Sequence, residues 1–110
     1  VIEKMAAAYL IHVDPESGYG DPDGMAQYNA HVGAIIESFG GAYHLRHKKS
    51  RVLEGDWSPD FITLIEFPSM SKLLEFYESE EYRPWLDVRK NAGAGRIVVF
   101  EGGAPDYPSG

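Results

Sequence analysis

The sequence predicts an α+β fold, one four-stranded antiparallel sheet with helices on a single face, and three observations predict it. Apolar runs of strand length alternate with stretches of three-and-four apolar spacing, in the order β-α-β-β-α-β. Glycine- and proline-rich turns punctuate them. The chain has 110 residues, 44% hydrophobic and 25% charged, which suits one domain with a real core. That domain is expected to have its core over residues 5–102 and a proline- and glycine-rich tail over 103–110.

The first strand is read within residues 5–13, where "AAAYLIHV" is small and apolar. Its start, "VIEKMAAAYLIHV", has one lysine and no small-residue cleavage site after it, so it is taken as a strand and not a signal peptide. "DPESGYGDPDG" follows, with two Asp-Pro pairs and three glycines, a loop long enough to serve as a lid. Residues 25–39 form the clearest helix: Met25, Tyr28, Val32, Ile35, Ile36 and Phe39 share one stripe. Asp23 is the expected N-cap, and Gly40-Gly41 the stop. "AYHLRHKK" is the second strand and "DFITLIEF" the third, joined through the turn "EGDWSP". Ser69 caps a helix bearing Met70, Leu73, Leu74 and Tyr77 on one face. A further short helix over 79–91 places Pro84 in its first turn or at a break. "RIVVFEG" is the last strand.

This order is the split βαβ arrangement of ferredoxin-like domains. In the third strand Phe61, Thr63, Ile65 and Phe67 share one side, and Ile62, Leu64 and Glu66 the other. "IVVF" is apolar on both sides. A sheet with one wet face would alternate more cleanly, so the face away from the helices is expected to meet a second copy in a twofold homodimer.

Composition narrows the partners. The net charge of −7 opposes nucleic-acid or anionic-membrane binding. No apolar run approaches the ~20 residues that span a bilayer. The absence of cysteine rules out disulfides and thiolate metal sites and fits a cytoplasmic protein.

The motifs "LEGDWSP" (53–59), "IEFPS" (65–69) and "FYESEEY" (76–82), with Tyr28 and the Gly40-Gly41 stop, carry a resemblance. Over residues 5–102 the chain resembles the family known as domain of unknown function 1330, within the dimeric α/β-barrel superfamily. The resemblance implies a dimeric barrel made from two facing sheets. The superfamily includes cofactor-independent monooxygenases, isomerases, haem enzymes and proteins without known activity. This chain departs from the usual pattern in the long loop between Asp14 and Gly24 and in Pro84.

Several residues could carry chemistry. Glu66, if its face lines the space between sheets, would be a desolvated general base; otherwise it is a strand-end acid held by a cation. His31, at the border of the first helix's stripe, and His12, at the end of the first strand, are acid–base candidates or satisfied structural histidines. His44 and His47 are expected on opposite faces, unable to share an ion. His44, Arg46 and Lys48 are expected to share one face, with Arg46 as a fork-like donor to an anion or as part of a solvated hairpin. Trp57, following the Asp56 turn, stacks on a ligand or packs on the sheet end. Tyr28 and Tyr77 turn toward the sheet, where their hydroxyls could line a pocket.

No metal motif, phosphate loop or nucleophile elbow is present. The expectation is a homodimer that needs no cofactor and holds a small organic molecule, anionic if Arg46 clamps it. It would catalyse cofactor-free proton transfer, isomerisation or oxygenation, with Glu66, His31 and His12 as catalytic groups. The alternative is a non-catalytic binding or structural dimer; a haem protein would need a histidine facing a cavity large enough for the macrocycle.

Overall fold

The computed structural model describes residues 6–93 and 95–103. The expected strand start at Met5 and the tail from residue 104 lie outside the described residues. The elements run β1 (Ala8–Val13), α1 (Pro22–Ser38), β2 (Ala42–Lys49), β3 (Phe61–Phe67), α2 (Met70–Tyr77), α3 (Arg83–Ala92) and β4 (Arg96–Glu101). The four strands form one antiparallel sheet in the order β2-β3-β1-β4, the expected ferredoxin-like α+β topology.

α1 begins three residues earlier than the apolar stripe suggests. Asp21, not Asp23, is the N-cap, and its side chain accepts from the Gly24 amide at 3.0 Å. Pro22 explains the shift, because its locked φ suits the first helical position and its missing N–H is not needed there. Asp23 falls in the first turn, where a negative charge suits the helix dipole. At the other end Gly40 takes φ +82°, and the amides of Gly40 and Gly41 donate to Glu37 and Ile36 carbonyls, each at 2.9 Å. That is the Schellman stop. Ser69 caps α2 through the Lys72 amide, as expected.

The second short helix starts at Arg83, not residue 79. Residues 79–82 are a turn that Ser79 organises: its hydroxyl donates to the Phe76 carbonyl and accepts from the Tyr82 amide. Pro84 therefore sits in the first turn, where it leaves no hydrogen bond unmade.

The core lies between sheet and helices, built on Leu10, Val32, Ile36, Phe67, Leu73 and Phe76. α1 packs against α3, and α2 against β1 and β3. Among the described residues nothing covers the opposite face of the sheet: Leu45, Val98 and Phe100 are large, apolar and exposed. Period-two alternation puts Ile62, Leu64 and Glu66 on this open face and Ile65 and Phe67 in the core.

β2 breaks that alternation twice. Tyr43 pairs with Ile65 but Leu45 with Leu64, and Lys48 with Ile62, so β2 holds two extra residues against β3. His47, in the second irregularity, has φ 54°, among described residues the one positive value outside glycine. The expectation that His44, Arg46 and Lys48 share a face is therefore overturned. Arg46 reaches α1, where it donates to the Asn29 carbonyl at 2.7 Å, while His44 meets Glu66 on the open face. A bulge re-aims every side chain after it, which simple alternation cannot anticipate.

Candidate functional site

A cavity of about 570 Å³ lies between α1 and the helix-facing side of the sheet. Its walls are largely apolar, with Leu10, Met25, Val32, Ile65 and Ile97 among them. Polar side chains line it too, among them His12, Asp14, Tyr19, Tyr28, Arg46 and His47. An apolar chamber of this size with a few convergent polar groups is the usual form of a small-molecule site.

β1 delivers His12 because His12 alternates with Leu10 onto the helix-facing side. The ring accepts or donates at Nε2 with the Tyr19 hydroxyl at 3.0 Å. Burial, seconded by the Arg89 charge, lowers the His12 pKa to about 4, against a weaker upward pull from Asp14. At neutral pH His12 is therefore an uncharged imidazole. The long loop after β1 supplies Tyr19, whose hydroxyl also stands 3.5 Å from Asp14 Oδ1. Burial first, and then the Asp14 charge, push the Tyr19 phenol above its ordinary value.

Asp14 has a closer partner. His47 Nε2 donates to its Oδ2 at 2.8 Å, and the His47 ring stacks on Phe61 with centroids 4.4 Å apart. The His47 amide donates to Thr63 Oγ1 at 3.0 Å. Three contacts thus hold a residue in a backbone conformation that its side chain disfavours.

Deeper in, the hydroxyls of Tyr28 and Tyr82 are hydrogen-bonded at 2.7 Å. Burial, with Tyr82 beside it, raises the Tyr28 phenol well above its usual range. Arg89 of α3 is only 4% exposed, and its Nε has no hydrogen-bond partner. Burial opposes its charge, but the oxygens of Tyr82, Tyr28 and Tyr77 more than offset this and hold the guanidinium above its ordinary value. Among the described residues no carboxylate forms an ion pair with it. On the rim, Arg46 lies 4.5 Å over the Tyr43 ring, so its charge is fixed above an aromatic face.

The structure brings His12, Tyr28 and Arg46 to this cavity and places the other candidates elsewhere. Glu66 is on the open face, hydrogen-bonded to His44 Nε2 at 2.6 Å. His31 is exposed on α1, stacked on Trp85 at 4.4 Å with its Nδ1 donating to the Gln27 carbonyl. Tyr77 packs beside Tyr82, with centroids 5.9 Å apart, outside the lining. Trp57 is half-exposed over a second hollow of about 500 Å³ at the end of the sheet, among Asp14, Glu16 and Asp60.

Asp14, Tyr19, Tyr82 and Arg89 were not singled out by the sequence, and His47 was weighed only as a metal ligand. For Tyr19 a signal existed: a lone aromatic in a Gly-Pro loop that composition alone does not require. Arg89 carries none, since "DVRK" reads as an ordinary solvated helix stretch. Among the described residues no group of three or more acidic or imidazole side chains is arranged to hold a metal ion, and no helix is long and apolar enough to cross a membrane.

Fold and cavity together define a ferredoxin-like α+β protein with a chamber between helix and sheet. The chain belongs to the family described as a domain of unknown function (DUF1330), which it matches over residues 7–103. No curated protein matches it. Among solved structures it is similar to a protein of unknown function from Rhodopseudomonas palustris, at 18% identity and TM-score 0.69, covering 91% of this chain and 85% of that one. SnoaB, a cofactor-independent oxygenase from Streptomyces nogalater, aligns at 11% identity and TM-score 0.57, covering 93% and 97%. A candidate antibiotic biosynthesis monooxygenase from Caulobacter crescentus aligns at 10% identity and TM-score 0.58, covering 92% and 93%. At such identities the likeness is one of fold.

Proposed function

We propose that this protein binds a small organic molecule with an acidic or anionic oxygen in the helix–sheet cavity and catalyses cofactor-free proton transfer on it. The observation that carries this reading is an uncharged, half-buried His12 on the wall of a chamber that also holds Arg46. A proton leaving a ligand C–H or O–H bond goes to the imidazole, and the bonding electron pair stays on the ligand as an enolate or phenolate. Burial and Arg89 disfavour a lone imidazolium here, but a ligand anion beside it offsets that penalty. Arg46 then holds the anion. Return of the proton at another atom is isomerisation, and capture of the anion by dioxygen is oxygenation. SnoaB is described as a cofactor-independent oxygenase, which supports the second outcome only as far as a shared fold can.

The acting unit is a homodimer joined through the open sheet face. Leu45, Val98 and Phe100 support this, as a contiguous apolar sheet surface is costly to leave in water. In that dimer the Glu66–His44 pair lies between the two sheets.

A thermal-shift screen of small phenols, enolisable ketones and carboxylic acids tests the proposal. A ligand at about 100 times its Kd adds roughly 2.7 kcal/mol of stability. The shift should vanish in Val32→Trp, which fills the chamber. If no compound of these classes shifts the native protein, or Val32→Trp shifts equally, the cavity reading fails. Proton exchange from a bound ketone into deuterated water, lost in His12→Gln, tests the chemistry.

A further inference from the structure

A base that keeps the proton it takes, as in oxygenation, must pass it to solvent between turnovers, and the four polar groups on one side of the chamber are arranged to do this. We propose that Tyr19, Asp14 and His47 form a proton path joining His12 to water. For its purpose this rests on the proton-transfer reading above. The contacts run in series: His12 Nε2 to Tyr19 hydroxyl at 3.0 Å, that hydroxyl to Asp14 Oδ1 at 3.5 Å, and Asp14 Oδ2 to His47 Nε2 at 2.8 Å. The inner end is half-buried, whereas the His47 side chain is 60% exposed.

The Tyr19 hydroxyl has one proton and two acceptors, which is what a switching link requires. At rest it donates to the nearer, His12; turned to Asp14, it leaves Nε2 free to take a proton. Inward transfer starts at protonated His47, which gives its Nε2 proton to the Asp14 carboxylate at Oδ2 and is recharged by water. The Asp14 carboxyl turns to carry that proton from Oδ2 to Oδ1 and gives it to the Tyr19 oxygen, as the Tyr19 O–H bond breaks and N–H forms at His12 Nε2. Outward transfer is the reverse, and atoms and charge balance in both directions.

His47 is where the fold has been bent to make the path. Its positive φ and the bulge around it turn its side chain from the strand toward Asp14, and stacking on Phe61 holds the ring there. An exposed histidine that served only as a sheet residue would need neither. Strain at a residue held by three contacts, on the rim of a cavity, is the pattern of a positioned functional group.

Proton NMR of the full chain tests the path without any ligand, so its failure and that of the cavity reading are separable. With the path intact, the Tyr19 hydroxyl proton exchanges quickly with water and its resonance is broadened at neutral pH. Asp14→Asn and His47→Gln should each slow that exchange by roughly tenfold or more, within what one positioned proton carrier contributes, and sharpen the resonance. The amide spectrum reports whether each variant keeps its fold, and His47→Gln, at an exposed site, covers the case in which Asp14→Asn does not. Equal exchange in the native protein and in a folded variant would overturn the path.

Discussion

At His12, folding strips water from an imidazole and sets it near Arg89, with Asp14 opposing only in part. Its folded pKa, about 4, is below the unfolded 6.5, so between these values the unfolded chain binds more protons. The His12 contribution to stability is complete above pH 6.5 and is lost as pH falls toward 4. The loss is about 3 kcal/mol at the shift given. Tyr19, Asp14, His47 and Arg89 are the charged and titrating groups around the ring. Urea unfolding across this range should show a steeper acid loss in the native protein than in His12→Gln. Parallel curves would mean that His12 is not held uncharged in the folded chain.

Arg89 belongs to the same scale. Replacing buried charged groups by well-packed apolar side chains of similar volume is often close to neutral in stability. Arg89→Met should therefore fold, and the His12 midpoint should rise from about 4 toward its ordinary value as a repelling charge is lost. A histidine NMR titration reads this directly. An unchanged midpoint would remove Arg89 from the electrostatics of the cavity.

At the scale of elements, the ends of the helices are set by a few side chains. Ser69→Ala should cost about 1 kcal/mol by orphaning the Lys72 amide. Gly40→Ala should cost roughly 1–3 kcal/mol, because φ +82° is left-handed and an added Cβ would stand 2.8 Å from Pro68 Cγ. Thermal melts of both variants check the order. Strand β2 shows the limit of local reasoning. Its boundaries, Ala42–Lys49, are the run "AYHLRHKK" read from the sequence, yet its two bulges send Arg46 to α1 and His47 to Asp14.

For the whole molecule, the two layers are thin: the Cα extents are 49 × 38 × 17 Å. A sheet so placed has helices on one side only, and its other side presents Val98 and Phe100, each about half exposed. If the proposed dimer forms through that side, Phe100→Glu introduces facing like charges at the twofold contact and should shift the sedimenting species to the mass of one chain. A native protein that already sediments as one chain while cooperatively folded would refute the dimer.

The amino-acid order by itself determined the architecture, because apolar period and turn chemistry are local signals that every element carries. Met25, Tyr28, Val32 and Ile36 specify α1, Gly40 its end, and the "FITLIEF" alternation the two faces of β3. Only the tertiary structure decided which polar groups meet. Asp14 and His47 are 33 residues apart and touch through a strained bulge without a sequence signature. Arg89 is buried by the packing around α3, although nothing in its neighbours' polarity requires that. Contacts between distant segments depend on register and packing, and these are properties of the assembled sheet and helices, not of any one stretch of chain.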